Sequence, residues 1–298
     1  MMDKLRRIMG IACKPHKLVK PLGARGWLNW LSDEIYLKLA YKASIGKNLD
    51  LRNPQTYNAK LQWLKLNYRA PDQTRYVDKY EVRSDIANII GSEYLVPLVG
   101  MYNKVEDIDW SALPDKFVLK CTHGCGTNII CTDKKQLPIE KTVKSLNSWM
   151  KKNWFWYGRE WPYKNVIPRI ICEEYLADNI VDYKFMCFHG EPKLIQIHTN
   201  RGQDDQTLDF YDINWNRTPI RRFKNTCTDE LPQPKKLSEM IEIARELSSG
   251  EIHVRVDLYE VRGKIYFGEK TYYSASGFSP FAEDEHDELL GSWIKLSI

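Results

Sequence analysis

The sequence predicts an α+β fold built on antiparallel sheets rather than on a regular βαβ alternation. Helical patterns fill the first hundred residues, the middle is strand-rich with one helix, and the last third sets hairpins around one helix. Strand-like runs lie next to one another in sequence, as hairpins require. The last of these hairpins carries charge on one face only.

Taken in order, residues 1–48 read as irregular to helical. Asn53-Pro54-Gln55-Thr56 opens a helix, with Thr56 as N-cap and Leu61, Trp63, Leu64 and Leu66 as its apolar positions. Asp78 reads as the N-cap of a second helix over 79–90, with Tyr80, Val82, Ile86, Ile89 and Ile90 inward. A short strand at 94–99 is interrupted by Pro97, and Leu113-Pro114-Asp115 is a turn. Strands at 117–121 and 128–131 flank the segment Thr122-His123-Gly124-Cys125-Gly126-Thr127. Residues 138–153 are helical, with the aromatic run Trp154-Phe155-Trp156-Tyr157 after them. A strand at 170–176 follows, then a hairpin of 183–189 and 192–199 about His189-Gly190-Glu191. Residues 207–214 are strand and turn. Pro232-Gln233-Pro234 opens a helix over 236–249, with Leu237, Met240, Ile241, Ala244 and Leu247 on one side.

The final hairpin is the most informative segment. Strand side chains alternate, so His253, Arg255, Asp257 and Tyr259 share one face, and Ile252, Val254, Val256 and Leu258 share the other. The returning strand offers Phe267, Glu269 and Thr271 with one parity. A three-residue turn at Arg262-Gly263-Lys264 places Asp257 opposite Glu269 and Arg255 opposite Thr271, whereas a two-residue turn inverts Glu269. Opposed carboxylates repel unless a cation lies between them. Mg²⁺ suits that place, since it takes oxygen ligands and bridges carboxylates to phosphates. The competing reading is that Arg255 neutralises both acids on a wet sheet face. His253 on this face is a base in principle and a satisfied structural histidine by default.

Gly124 and Gly126 lie between two strands, where backbone N–H groups can approach an anion closely. Lys120 leaves the preceding strand toward a cleft, because an unpaired ammonium is costly in a core. Cys121, His123, Cys125 and Cys131 raise zinc as a rival, without the paired CxxC spacing of a structural site.

The composition, 43% hydrophobic and 28% charged over 298 residues, is that of a globular chain large enough for two or three subdomains. No apolar run is long enough for a transmembrane helix, and the first residues lack the apolar core of a secretory signal. Seven scattered cysteines read as reduced thiols of a cytoplasmic protein. Residues 1–50 hold ten Lys/Arg against four acids, so they carry the chain's whole formal excess of +5. With Trp27, Trp30, Leu31, Tyr36 and Leu37 interleaved, this end reads either as a peripheral contact to an anionic membrane or as a soluble basic helix. No nucleic-acid recognition module is present in the pattern.

Several segments occur in a telling order: Tyr57-Asn58-Ala59-Lys60-Leu61-Gln62-Trp63-Leu64-Lys65, Asp78-Lys79-Tyr80-Glu81-Val82-Arg83, Phe117-Val118-Leu119-Lys120, the glycine loop, Glu173-Glu174-Tyr175-Leu176, Asp182-Tyr183-Lys184, and Arg255-Val256-Asp257 with Glu269-Lys270-Thr271. Together they resemble the ATP-grasp superfamily, and within it the TupA-like proteins of bacterial surface-polysaccharide loci, over about residues 50–280. The resemblance implies two antiparallel-sheet subdomains clasping ATP behind a mostly helical N-terminal region. It implies Lys120 on the phosphates, Gly124 and Gly126 as a flap, and Glu174, Tyr175 and Leu176 as the adenine-facing hinge. Asp182 then meets the ribose, and Lys184 meets phosphate or substrate. Asp257, Glu269 and Thr271 hold Mg²⁺, with Thr271 where many members have Asn, and Arg255 and Lys184 serve catalysis. The expected division is 1–100 (helical), 101–175 (small subdomain with the flap) and 176–298 (subdomain with the metal hairpin).

The activity so implied is ATP- and Mg²⁺-dependent joining of a carboxylate to an amine through an acylphosphate. The expected carboxylate is a uronic acid, free or nucleotide- or lipid-linked, in capsule, teichuronic-type or O-antigen synthesis. The expected partner is an amino acid or amine. His198-Thr199-Asn200-Arg201 and the aromatic run 154–161 are the expected acceptor lining. The rival activities are a glycosyltransferase using Asp204-Asp205, and a non-catalytic scaffold at the inner face of the membrane.

Overall fold

A computed structural model describes residues 18–199, 206–222 and 225–297. Asn200, Arg201, Asp204, Asp205 and the first seventeen residues, with half of the N-terminal cations, lie outside the described residues.

Helices α1 (Val19–Ala24), α2 (Asp33–Ile45), α3 (Tyr57–Asn67), α4 (Gln73–Val77) and α5 (Val82–Ile89) come first. The Ser32 hydroxyl caps α2 by accepting from the Ile35 N–H, and Gly46 ends it at φ 85°. Thr56 caps α3 as its sequence predicts, accepting from the Ala59 N–H. Asp78 accepts from the N–H groups of Tyr80 and Glu81. It caps a turn there, and the helix proper begins only at Val82.

The first sheet holds β1 (Leu98–Tyr102), β2 (Phe117–Cys121), β3 (Asn128–Cys131) and β4 (Ile170–Glu174) in the order β1-β4-β2-β3, all antiparallel. The expected strand at 94–99 starts after Pro97 instead, because proline has no N–H for the ladder. Helix α6 (Ile139–Met150) covers this sheet, and Leu146 packs with Phe117, Leu119, Ile170 and Cys172; the short helix α7 (Phe155–Gly158) follows it.

The second sheet holds β5 (Asp182–Phe188), β6 (Glu191–Thr199), β7 (Thr207–Asp212), β8 (His253–Val261) and β9 (Lys264–Thr271) in the order β7-β6-β5-β8-β9, again antiparallel. Helix α8 (Leu237–Ser248) buries Met240, Ala244 and Leu247 in the core of this sheet. Ile243 is buried where the sequence pattern suggested Ile241, which is only half-buried. Helix α9 (Asp284–Ser292), not foreseen from sequence, packs on α3. Tyr57, Leu61 and Leu64 of α3, with Val77, Val82 and Ile86, join the core of the second sheet.

The β8–β9 turn differs from expectation. Val261 pairs with Lys264, so the turn is two residues, Arg262-Gly263, with φ 54° and 74°. Both are left-handed, as the tight turn that matches strand twist requires. The register is restored by a bulge: Leu258 pairs with Phe267 and Asp257 with Glu269, leaving Gly268 as the extra residue. Phe267 therefore faces the core, contrary to the expected parity, while Glu269 and Thr271 reach the charged face.

Candidate active site

Cross-strand register writes the site onto one face of the second sheet. Gln196, Lys184, Asp257 and Glu269 form one row across β6, β5, β8 and β9. His198, Asp182 and Tyr259 form a neighbouring row, and Arg255 with Thr271 another. Lys184 is 4% exposed and bonds both Asp182 and Asp257. Arg255 grips Asp257 by one edge, Nε to Oδ1 at 2.6 Å and Nη2 to Oδ2 at 2.8 Å. The same Nη2 lies 3.1 Å from Glu269 Oε1 and 3.1 Å from Thr271 Oγ1. Burial works against the Arg255 charge, yet Asp257 and Glu269 outweigh it and hold its pKa above the ordinary guanidinium value.

A cavity of about 430 Å³ opens over this face. Lys184, Gln196, His198, Arg255, Glu269 and Thr271 form its floor, and Gly124 and Cys125 of the β2–β3 loop close one side. Trp154, Tyr157 and Tyr163 line another side, as does Glu160. Burial raises the Glu160 carboxyl above its usual range against the pull of Lys65, Ser276 and Arg255.

The glycine loop is held in place. Gly126 has φ 67°, a conformation that disfavours any side chain. A Cβ on Gly124 would fall 2.0 Å from Trp154 Nε1, so only glycine admits that indole. Lys79 Nζ donates to the Gly124 carbonyl at 2.5 Å and stands 3.5 Å from Glu269 Oε2. Lys120 points off β2 to Glu173 Oε2 at 2.6 Å, and Arg83 reaches Glu173 Oε1 at 3.3 Å. Glu174 ends β4 with its N–H on the Pro97 carbonyl. Tyr175 bonds Asp178 beyond it, and Leu176 is half-buried.

The TupA-like ATP-grasp family profile matches residues 59–295. The chain belongs to the TupA-like ATP-grasp family. No curated protein matches it. Among solved structures it is similar to an L-amino acid ligase from Bacillus licheniformis, at 15% identity over 74% of this chain and 49% of that one, TM-score 0.46. It is also similar to N5-carboxyaminoimidazole synthetase from Staphylococcus aureus complexed with ADP, at 15% identity over 90% and 65%, TM-score 0.46. A D-alanine–D-alanine ligase from Bacillus anthracis matches at 16% identity over 66% and 57%, TM-score 0.39. The chain spans between 49% and 65% of the length of these three structures.

In this ATP-grasp chain the sequence-predicted residues fall into two groups. Asp182, Lys184, Arg255, Asp257, Glu269 and Thr271 make one hydrogen-bonded network. Lys120, Glu174, Tyr175 and Leu176 lie on the first sheet and the segment leaving it, with Gly124 and Gly126 between the groups.

The donor set fits a hard divalent cation, since oxygens of Asp257, Glu269 and Thr271 converge on one point. Arg255 Nη2 holds that point here, so the cation foreseen between the two carboxylates is the arginine's own, and a metal there requires the guanidinium to turn aside.

The zinc reading and a catalytic His253 find no support in the geometry among the described residues, whereas Arg255 does pair with both acids. Cys131 pairs with Phe117 and lies at the far end of its hairpin from Cys121, and the His123 ring lies 3.2 Å from the Trp149 carbonyl, so the four zinc candidates do not converge. His253 is buried between Tyr57 Oη and the Cys187 carbonyl, a structural role.

Lys79, Glu160, Gln196 and Arg222 line or border the site without having been singled out from sequence. The Asp78-to-Arg83 segment already contained Lys79. Glu160 follows Arg159 at φ 55°, a backbone turn that sequence does not announce.

Proposed function

We propose that the chain is an ATP- and Mg²⁺-dependent carboxylate–amine ligase acting on a uronic acid of a bacterial surface polysaccharide. The observation that carries this reading is the convergence of Asp257, Glu269 and Thr271 on one cation point beside Lys184, across the cavity from a glycine loop. Lys120 and the loop amides suit the triphosphate, with Glu174, Tyr175 and Leu176 along adenine and Asp182 at the ribose. Asp257, Glu269 and Thr271 would hold Mg²⁺, which neutralises phosphate charge when bound.

The substrate carboxylate attacks the terminal phosphorus and ADP leaves. The amine nitrogen then attacks the acyl carbon, the bond from that carbon to the phosphate oxygen breaks, and phosphate departs. Lys184 and Arg255 stabilise the charge that moves between these atoms. Glu160, whose raised pKa makes it a stronger base than an ordinary carboxylate, takes the proton the amine must lose. The loop keeps water from the acylphosphate. Trp154, Tyr157 and Tyr163 offer flat apolar faces of the kind that suit a sugar ring.

We further infer that the chain works at the inner face of the cell membrane. Trp27 and Trp30 are 67% and 78% exposed, beside exposed Arg25, Lys38 and Lys42. No helix among the described residues is long and apolar enough to cross a membrane.

The test is ATP binding and phosphate release with Mg²⁺ over a panel of uronic acids and amines, in wild type, Lys120→Ala and Glu269→Gln. Phosphate release only with both substrates, and at least tenfold weaker ATP binding by Lys120→Ala, are expected. A folded wild type that does not bind ATP would sink the reading.

A further inference from the structure

Arg222 is 6% exposed and lines the cavity. Its backbone bridges to Phe281, and its guanidinium lies 4.3 Å from the Phe281 ring centroid. Nη1 donates to the Ser279 carbonyl at 2.5 Å. Nε and Nη2 are buried with no acceptor. Asp287 is close enough to act on its charge but is engaged elsewhere, accepting from the Asn58 N–H at 2.9 Å and the Asn58 side-chain amide at 3.0 Å.

Buried donors without partners are rare, and a buried unpaired charge is costly. The two orphaned nitrogens are not scattered. Nε and Nη2 form one edge of the guanidinium, the fork that matches the two oxygens of a carboxylate. Arg255 uses this same edge on Asp257. Arg222 thus repeats a carboxylate-binding edge already used in the site, and among the described residues no carboxylate bonds that edge.

We propose that Arg222 docks a carboxylate that the reaction does not consume. The carboxylate to be phosphorylated belongs at the charged rows of β5, β8 and β9, so a carboxylate at Arg222 is a second one, carried by whichever substrate reaches that guanidinium. The shared chemistry is a spectator carboxylate, borne either by the amine substrate, which is then an amino acid, or by the acid substrate, which is then a diacid. Its assignment to a substrate of ligation rests on the ligase reading; its binding does not.

The experiment compares two probe pairs differing by one carboxylate, L-alanine with ethylamine and succinate with propionate. Each is titrated calorimetrically into wild type, Arg222→Met and Arg222→Lys, and each is run in the ATP-dependent phosphate-release assay. In one pair the carboxylate-bearing member is expected to bind wild type about tenfold to a hundredfold more tightly. That pair names the source. The preference is expected to vanish in Arg222→Met and to shrink in Arg222→Lys, which keeps the charge and loses the fork, while ATP affinity reports that both variants fold. No difference within either pair in wild type, or an undiminished preference in both variants, overturns the proposal. Absence of phosphate release with every pair counts against the ligase reading alone, and calorimetry then decides on Arg222.

Discussion

Lys79 touches both halves of the site, through the Gly124 carbonyl and Glu269. Hydrogen bonds from charged donors contribute about 1.5–3 kcal/mol. In Lys79→Met, amide exchange at 124–126 should therefore rise by about tenfold or more, as read by hydrogen-exchange mass spectrometry; unchanged protection would show that the lysine does not hold the loop. His253 offers a second test at this scale. Burial, reinforced by Arg255, lowers its pKa from 6.5 to about 4. The unfolded chain then binds the proton more readily, so the contribution is complete above the unfolded value and is lost as pH falls from 6.5 through 4. Urea unfolding should show up to about 3 kcal/mol of stability lost across that window, and His253→Gln should flatten the loss. Period-two alternation made Arg255, Asp257, Glu269 and Thr271 legible in sequence. Arg222 was not legible, because its meaning lies in Ser279 and Phe281, more than fifty residues away, and in an acceptor that is missing.

At the scale of elements, the β8–β9 hairpin joins two irregularities that cancel. The two-residue turn alone would turn Glu269 into the core, and the Gly268 bulge returns it. Alternation fixed which residues belong together, but turn length and bulge act on register in opposite senses, so sequence could reach the right pairing through the wrong turn. A Cβ at Gly268 would stand 2.8 Å from Tyr259 Oη and 3.1 Å from the Asp257 carbonyl. Gly268→Ala should cost about 1–3 kcal/mol in denaturant unfolding. Deleting Gly268 should abolish phosphate release while Arg262-Gly263 still forms the turn; an active deletion variant would show that the bulge does not set Glu269.

Across the whole molecule, the hairpins β2–β3, β5–β6 and β8–β9 were legible because their strands are neighbours in sequence, whereas the pairings β1–β4, β2–β4 and β5–β8 join distant segments that no local pattern links. The docking of α3 on the C-terminal segment was not legible either, since nothing in a local pattern links Asn58 to Asp287. Buried Lys65 shows the same closure, donating to the Gly158 and Ser276 carbonyls at 2.7 and 2.8 Å. The N-terminal surface has its own test. Replacing Trp27 and Trp30 together by Ala should weaken binding to anionic vesicles about tenfold in sedimentation while leaving phosphate release in solution intact. Equal sedimentation would remove the membrane assignment.

The contact between Asn58 and Asp287 also sets a clock. The ribosome makes 229 further residues after Asn58 before Asp287 exists. At about 5–20 residues per second, that is roughly 10 to 50 seconds. Through that interval the Asn58 N–H and side-chain amide at the start of α3 have no Asp287 carboxylate to donate to, so this end of α3 gains its partner only when the helix Asp284–Ser292 is made.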